Sequence, residues 1–188
     1  DKKYKEAVAV AVEACPGRHE GQKCYICLEA VHPHTGEGLV RGCACGDRDG
    51  VSSPELGVAH VSCLARQAKI LREEAEEDRM GDKVLKERWS RWHRCSLCEQ
   101  EYQGVVRCAL GWACWKTYVG RPETDVALAG AMCMLGNGLS LAGQNEAALS
   151  VKEAELSMRR RLGDSENNIL ITQGNLASTY DELGRFEE

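Results

Sequence analysis

A small α+β module with too little apolar material to hold itself together, followed by all-α helical-hairpin repeats, is the fold class that this sequence predicts. Two observations predict it. Over residues 24 to 98, eight ligand-type residues stand as four close pairs: Cys24 and Cys27, Cys43 and Cys45, His60 and Cys63, Cys95 and Cys98. From Glu123 onward the glycine clusters give way to alanine, leucine and glutamate, and a pattern returns at an interval of 41 residues. Paired soft ligands in CxxC, CxC, HxxC and CxxC spacing are the pattern of structural zinc, and two tetrahedral ions use eight ligands. The first half is therefore expected to be a zinc-stabilised module with two ions.

Composition narrows the function classes. The chain has 188 residues and a formal net charge of -5, with a pI of about 5.6, so it lacks the basic footprint of a nucleic-acid binder. Eleven cysteines are enough for a disulfide scaffold, but the count is odd. A CxC or CxxC pair bridged to itself would be a strained or redox-active loop. Thiolates free to bind metal imply a reducing compartment, cytoplasm or nucleus. The first apolar run, residues 7–12, is far short of the roughly 20 residues of a spanning helix, so no membrane partner is expected of this segment. The chain opens on Asp1 and stops inside a repeat pattern, which reads as an excerpt of a longer protein.

Each element follows in order. Residues 1–19 form a flanking helix over 2 to 14, stopped by Cys15-Pro16-Gly17. Residues 20–120 form the zinc module. Gly36, Gly38, Gly42, Gly46 and Gly50 surround its ligands, where tight turns aim thiolates. His32 and His34 fall in the same loop, but the ligand set closes without them. Residues 64 to 92 read as a charged helix interrupted at Gly81, with Trp89 and Trp92 on its core side. Residues 99 to 120, with Tyr102, Trp112, Trp115 and Tyr118, read as a helix closing the module. Arg121-Pro122 marks the boundary. In residues 123–188, Leu135, Leu139, Gly143 and Glu146 recur as Leu176, Tyr180, Gly184 and Glu187. A turn at Ala142-Gly143-Gln144 separates two helices, the second running from about Glu146 to Leu162, and Gly163 ends it.

Two wirings of the eight ligands are open. A cross-braced module joins the first and third pairs on one ion and the second and fourth on the other. A sequential one joins neighbouring pairs. Either way each site has four protein ligands and no place for water, so the metal is structural and the chain has no catalytic residue on it. Cys15, Cys108, Cys114 and Cys133 are read as small buried residues. No Ser/His/Asp set has a recognisable spacing.

At Cys24-Tyr25-Ile26-Cys27, Gly42-Cys43-Ala44-Cys45, His60-Val61-Ser62-Cys63-Leu64 and Cys95-Ser96-Leu97-Cys98 the chain resembles the RING-variant (RING-CH) zinc finger, over about residues 22–104. The resemblance implies cross-bracing: Cys24, Cys27, His60 and Cys63 on one ion, and Cys43, Cys45, Cys95 and Cys98 on the other. It also implies docking of a ubiquitin-conjugating enzyme, with Ile26, Leu64 and Leu97 as the apolar contacts. Three departures stand out. Fourteen residues separate Cys45 from His60, Gln67 occupies a position where the family often has tryptophan, and Glu99 follows the last ligand where active ligases often carry a basic residue. The PHD finger, a histone-tail reader, shares the ligand order. It usually places tryptophan where His93 stands, and its second pair is wider than CxC.

The second half resembles tetratricopeptide repeats of the kinesin-light-chain kind. Asn175-Leu176-Ala177-Ser178-Thr179-Tyr180 and Leu183-Gly184-Arg185-Phe186-Glu187-Glu188 carry the likeness, and Leu135-Gly136, Leu139, Gly143, Glu146-Ala147-Ala148-Leu149 and Leu162-Gly163 match more loosely. Such an array would bind a protein or peptide; Asn137 and Asn175 read as exposed helix polars, with a role as contacts the alternative. Together the resemblances imply a ligase or ligase component working by proximity. The alternative is a non-catalytic interaction adaptor.

Overall fold

The computed structural model describes residues 1–15, 21–45 and 57–185. The expected helix stop at Pro16-Gly17, Gly46, Gly50, the insert at residues 52–56 and the final matches at residues 186–188 lie outside the described residues.

Seven α-helices are described: α1 (Lys2–Glu13), α2 (Val61–Glu77), α3 (Asp82–Trp89), α4 (Gly104–Tyr118), α5 (Val126–Leu141), α6 (Asn145–Leu162) and α7 (Glu166–Glu182). The short 3-10 turn Ser90–Trp92 follows α3. α1 turns Val8 and Ala11 inward onto α4, and Tyr4 reaches Ser62 at 3.2 Å.

The expected α+β character is not met among the described residues, which contain no strand. Two isolated antiparallel bridges, Val40 with Ala59 and Arg94 with Glu101, stand in its place. The loops are short and turn back at each ligand pair, so no ladder has length to propagate.

The charged run after the third ligand pair is two helices. α2 ends at Glu77, Arg79 takes a left-handed φ of 51°, and Gly81 becomes the residue before α3. Arg72 ties the two together. Its Nε donates to Glu76 at 2.7 Å, its Nη1 to the Leu85 carbonyl at 3.2 Å, and its guanidinium lies over the Trp89 ring. Trp89 and Trp92 pack on Tyr118, as core residues should.

α4 is the centre of the molecule. Val106, Ala109 and Leu110 belong to the core of the metal-binding loops, together with Cys24, Cys45, Cys63 and Cys95. Ala113, Cys114 and Tyr118 belong to a second core with Ala127, Ala131 and Met134 of α5. Two glycines let the helices approach. A Cβ at Gly111 would lie 2.8 Å from the Met134 carbonyl oxygen, and one at Gly138 would lie 2.9 Å from that of Arg107. Between them Arg121-Pro122 is a tight turn, closed by Asp125 N–H on the Pro122 carbonyl at 2.9 Å. Asp125 then caps α5 by accepting from Ala127 N–H. The apolar core thus runs unbroken past the position where the sequence changes texture. Arg107 is buried in this seam; its Nε and Nη1 have no hydrogen-bond partner and its Nη2 faces the Met134 sulfur at 3.7 Å.

The 41-residue interval is structural. Gly143 and Gly184 have φ of 72° and 71°. Around the first, Gly143 N–H bonds Ser140 O and Gln144 N–H bonds Leu139 O; around the second, Gly184 N–H bonds Asp181 O and Arg185 N–H bonds Tyr180 O. Each partner is displaced by 41 positions. The left-handed glycine closes the helix end in both. α5, α6 and α7 pack in sequence as hairpins. Between α6 and its neighbours, buried Lys152 donates to Ser140 at 2.9 Å, to Thr179 at 2.7 Å and to the Asn175 carbonyl at 3.1 Å. Buried Glu155 accepts from Arg159 and Thr172. Asn137 and Asn175 are half-buried, not exposed, and both turn their amides on Cys133, at 3.5 and 3.9 Å.

Gly138→Val forces a side chain into the α4–α5 seam and is expected to destabilise the chain by about 1–3 kcal/mol in denaturant unfolding. Gly174→Ala on α7, where a Cβ meets nothing within 4 Å, should stabilise by about 0.5–1 kcal/mol.

Candidate metal centres

Two segments of the loop region turn in the same way. Leu28 N–H bonds the Cys24 carbonyl at 2.8 Å and Cys24 N–H bonds the Glu29 carbonyl at 3.0 Å. In the other, Glu99 N–H bonds the Cys95 carbonyl at 3.0 Å and Cys95 N–H bonds the Gln100 carbonyl at 2.9 Å. Ile26 N–H points at Cys24 Sγ and Leu97 N–H at Cys95 Sγ, each at 3.4 Å. The turn closes only because the residue after the second cysteine is left-handed: Leu28 has φ 63° and Glu99 has φ 58°. Tyr25 joins the turns by its hydroxyl to Ser96 at 3.2 Å.

The HxxC pair is set by a helix. His60 stands before α2 and Cys63 lies in its first turn. Glu37 accepts from Ser62 N–H at 2.6 Å and from Ser62 Oγ at 2.8 Å, which satisfies an otherwise free donor and places a carboxylate at the helix N-terminus. The CxC pair is set against Gly57, whose φ is 78° and whose Cβ, if present, would lie 2.7 Å from Cys45 Cβ and 3.1 Å from Cys43 Sγ.

These elements bring the eight residues together as two groups. Cys24, Cys27, His60 and Cys63 form one; Cys43, Cys45, Cys95 and Cys98 form the other. In each, the ligand atoms all lie within 4.8 Å of one another. The first pair combines with the third and the second with the fourth, so the sequential wiring is excluded and the interlocked one holds. His60 Nδ1 lies 3.3 Å from Cys27 Sγ and 3.7 Å from Cys63 Sγ, and Cys45 Sγ lies 3.5 Å from Cys95 Sγ. A tetrahedral centre with metal–sulfur bonds of about 2.3 Å and metal–nitrogen bonds of about 2.0 Å separates its ligands by about 3.6–3.8 Å. A disulfide would need sulfurs about 2.0 Å apart. All eleven cysteines are free thiols. The residues therefore fit one metal ion per group. His60 turns Nε2 toward the Ala30 carbonyl at 3.4 Å, which leaves Nδ1 as the metal-facing nitrogen.

His32 joins neither group. Its Nδ1 caps its own turn, accepting from Thr35 N–H at 3.2 Å, and its ring packs edgewise on His60. Gly57, Glu37 and the left-handed Leu28 and Glu99 are functional positions that motif spacing does not mark. Of the three expected enzyme contacts, Ile26 is half-buried and Leu97 is 48% exposed on its turn. Leu64 does not fit that role: it is 4% exposed, because α2 begins at Val61 and turns this position into the core. A groove of about 880 Å³ runs beside the second group, lined in part by Cys15, Arg41, Cys43, Arg94 and Glu99.

Burial and contact shift the acidity of these groups. Burial holds the His60 imidazole below its ordinary 6.5, which favours the neutral ligand form. Cys43 donates to Cys95, lowering Cys95 to about 4 against the effect of burial; the same contact, with burial, pushes Cys43 far up. Burial pushes Cys45 up to about 12 and raises Cys63. At Cys24 burial acts upward but is outweighed by backbone N–H groups from Cys27, His60 and Ile26, and the thiol is lowered.

No protein-family model, curated protein or solved structure matched this chain. Among the described residues no helix is long and apolar enough to cross a membrane.

Elemental analysis of reduced protein is expected to return two metal equivalents per chain, falling to one in Cys24→Ser or His60→Ala. Gly57→Ala should selectively weaken the second site, seen as one of two equivalents yielding early to a chelator. His60's folded-state contribution is present above 6.5 and lost as the pH falls through its lowered value, while the thiolates also take up protons. Metal release followed with a chromophoric chelator should begin below that pH; release already under way at neutrality would contradict the buried sites.

Proposed function

We propose that both groups hold zinc, and that the chain is a zinc-braced interaction scaffold that docks a ubiquitin-conjugating enzyme while its helical hairpins bind a second protein. The donors support zinc: seven thiols and one imidazole in two closed four-ligand sets, with no position for a substrate. The observation that carries the docking reading is the interlocked pairing, which sets the two like turns side by side and offers Ile26 and Leu97 at the surface. A scaffold of this kind transfers no group itself. It raises the effective concentration of the charged enzyme at its target.

The adaptor reading, without ligase activity, has its own support. Glu99 is engaged by Arg91 at 2.8 Å, and Gln67 and buried Leu64 leave the expected docking face without a large apolar residue from α2. Autoubiquitination with a panel of conjugating enzymes separates the two. Activity that falls at least about tenfold in Ile26→Ala, with two zinc ions retained, supports docking. Silence across the panel in fully zinc-loaded protein would leave the adaptor.

A further inference from the structure

We infer that metal occupancy of the ligand groups sets the seat of the hairpins: bound ions hold α5 on α4, and their loss opens the α4–α5 seam and frees the residues that α5 shares with α7. The inference rests on the proposal that both groups hold zinc. It does not depend on ligase activity.

Three links carry it. The first joins the ligand loops to α4. Cys45, Cys63 and Cys95 share a buried cluster with Val106, Ala109 and Leu110. Gln103 N–H bonds the Gly42 carbonyl at 2.9 Å, and a Cβ at Gly42 would lie 2.6 Å from Val106 Cγ1. The second link crosses α4. Val106 and Leu110 face the loops, while the residues that follow them, Arg107 and Gly111, meet α5. Gly111 sits against the Met134 carbonyl oxygen, and Gly138 against the Arg107 carbonyl oxygen and Cys108 Cα. A shift of the loop-facing side is therefore a shift of the α5-facing side. The third link crosses α5. Its contact positions Met134 and Gly138 directly follow Cys133 and Asn137. Cys133 accepts the amides of Asn137 and of Asn175 on α7, at 3.5 and 3.9 Å. The setting of α5 on α4 is thus read at α7.

The seam does not hold by itself. Its closest contacts are backbone on backbone, which bury little apolar side chain. Arg107 is 5% exposed, with Nε and Nη1 unpartnered. Burying such a group is costly, and opening the seam returns it to water. Without the loop core, α4 is a 15-residue helix packed on this seam and on neighbours that themselves lean on the loops, and a helix of that length is marginal alone. α5 meets α4 and α6 by different sides, so packing on α6 does not replace α4.

Cys114 and Cys133 belong to neither ligand group and report on the seam, Cys114 fully buried and Cys133 half-buried. The experiment compares the reduced full chain loaded with zinc and stripped by a chelator. Both are alkylated with a maleimide and mapped by peptide mass spectrometry, and bound metal is measured on the same samples. Stripping is expected to raise the labelling rate of Cys114 and Cys133 at least about tenfold, and zinc alone should restore protection. Hydrogen exchange should show α5 amides opening together with those of α4. Release of both ions with Cys114 and Cys133 still protected, and α5 exchange unchanged, overturns the inference while leaving the zinc reading intact. A chain that binds no metal overturns both.

Discussion

Two ligand groups drawn from interleaved segments, each fit to hold one metal ion, are the constraint on which the amino-terminal half depends. Each group joins residues more than thirty positions apart, and the two loops so closed pass through one another in sequence. Closing such loops costs entropy that a few bridges and a thin core do not return. A structural zinc site in a small peptide contributes on the order of 10–16 kcal/mol, as large as the net stability of a whole domain at about 5–15 kcal/mol. The ligand sets, more than the apolar residues, therefore decide whether this half has a structure. The local devices serve that end. Left-handed Leu28 and Glu99 aim thiolates, Gly57 makes room for two of them, and Glu37 fixes the helix that presents His60 and Cys63.

α4 carries the constraint into the rest of the molecule. One end of the helix packs on the metal-binding loops and the other on α5, with glycines bringing backbones into contact. A zinc finger and a repeat array joined by a linker would lose structure separately, the hairpins surviving loss of metal. Here the first hairpin helix leans on a helix whose other face packs on the loops that carry both ligand groups. Losing that face removes burial from Ala131 and Met134 as well, so the damage is not confined to the loops. The guanidinium of Arg107, with Nε and Nη1 unpartnered, sits in the same seam, where burial lowers its pKa to about 10. Such a group is tolerated only while its surroundings are held in place.

Much of this was legible in the sequence, and for a physical reason. Cysteine and histidine at short fixed spacings have few uses, so the eight ligands stand out without any tertiary knowledge. The 41-residue interval shows because each hairpin repeats the same packing demands, down to the left-handed glycines at 143 and 184. Pairing of the ligands was open because order alone does not state which segments meet. The shared role of α4 was hidden because residues 121–122 mark a change in composition, whereas contact across them depends on Gly111 and Gly138, each local to its own helix. Leu64 misled because a position next to a ligand can face either way until the start of α2 is known. Strands were expected where ligands, not ladders, hold the loops.

The donor sets have a consequence for the chain's charge. If each group takes up a divalent cation, as proposed, seven coordinated thiolates against two such ions leave a surplus of three negative charges beyond the formal -5, which counts thiols as neutral. Taking up cations thus makes the protein more anionic, and loaded chains should hold an anion-exchange column longer than apo chains. The surplus would be unequal: two of the three charges would reside on the all-sulfur group, and Arg41 and Arg94 line the groove beside it.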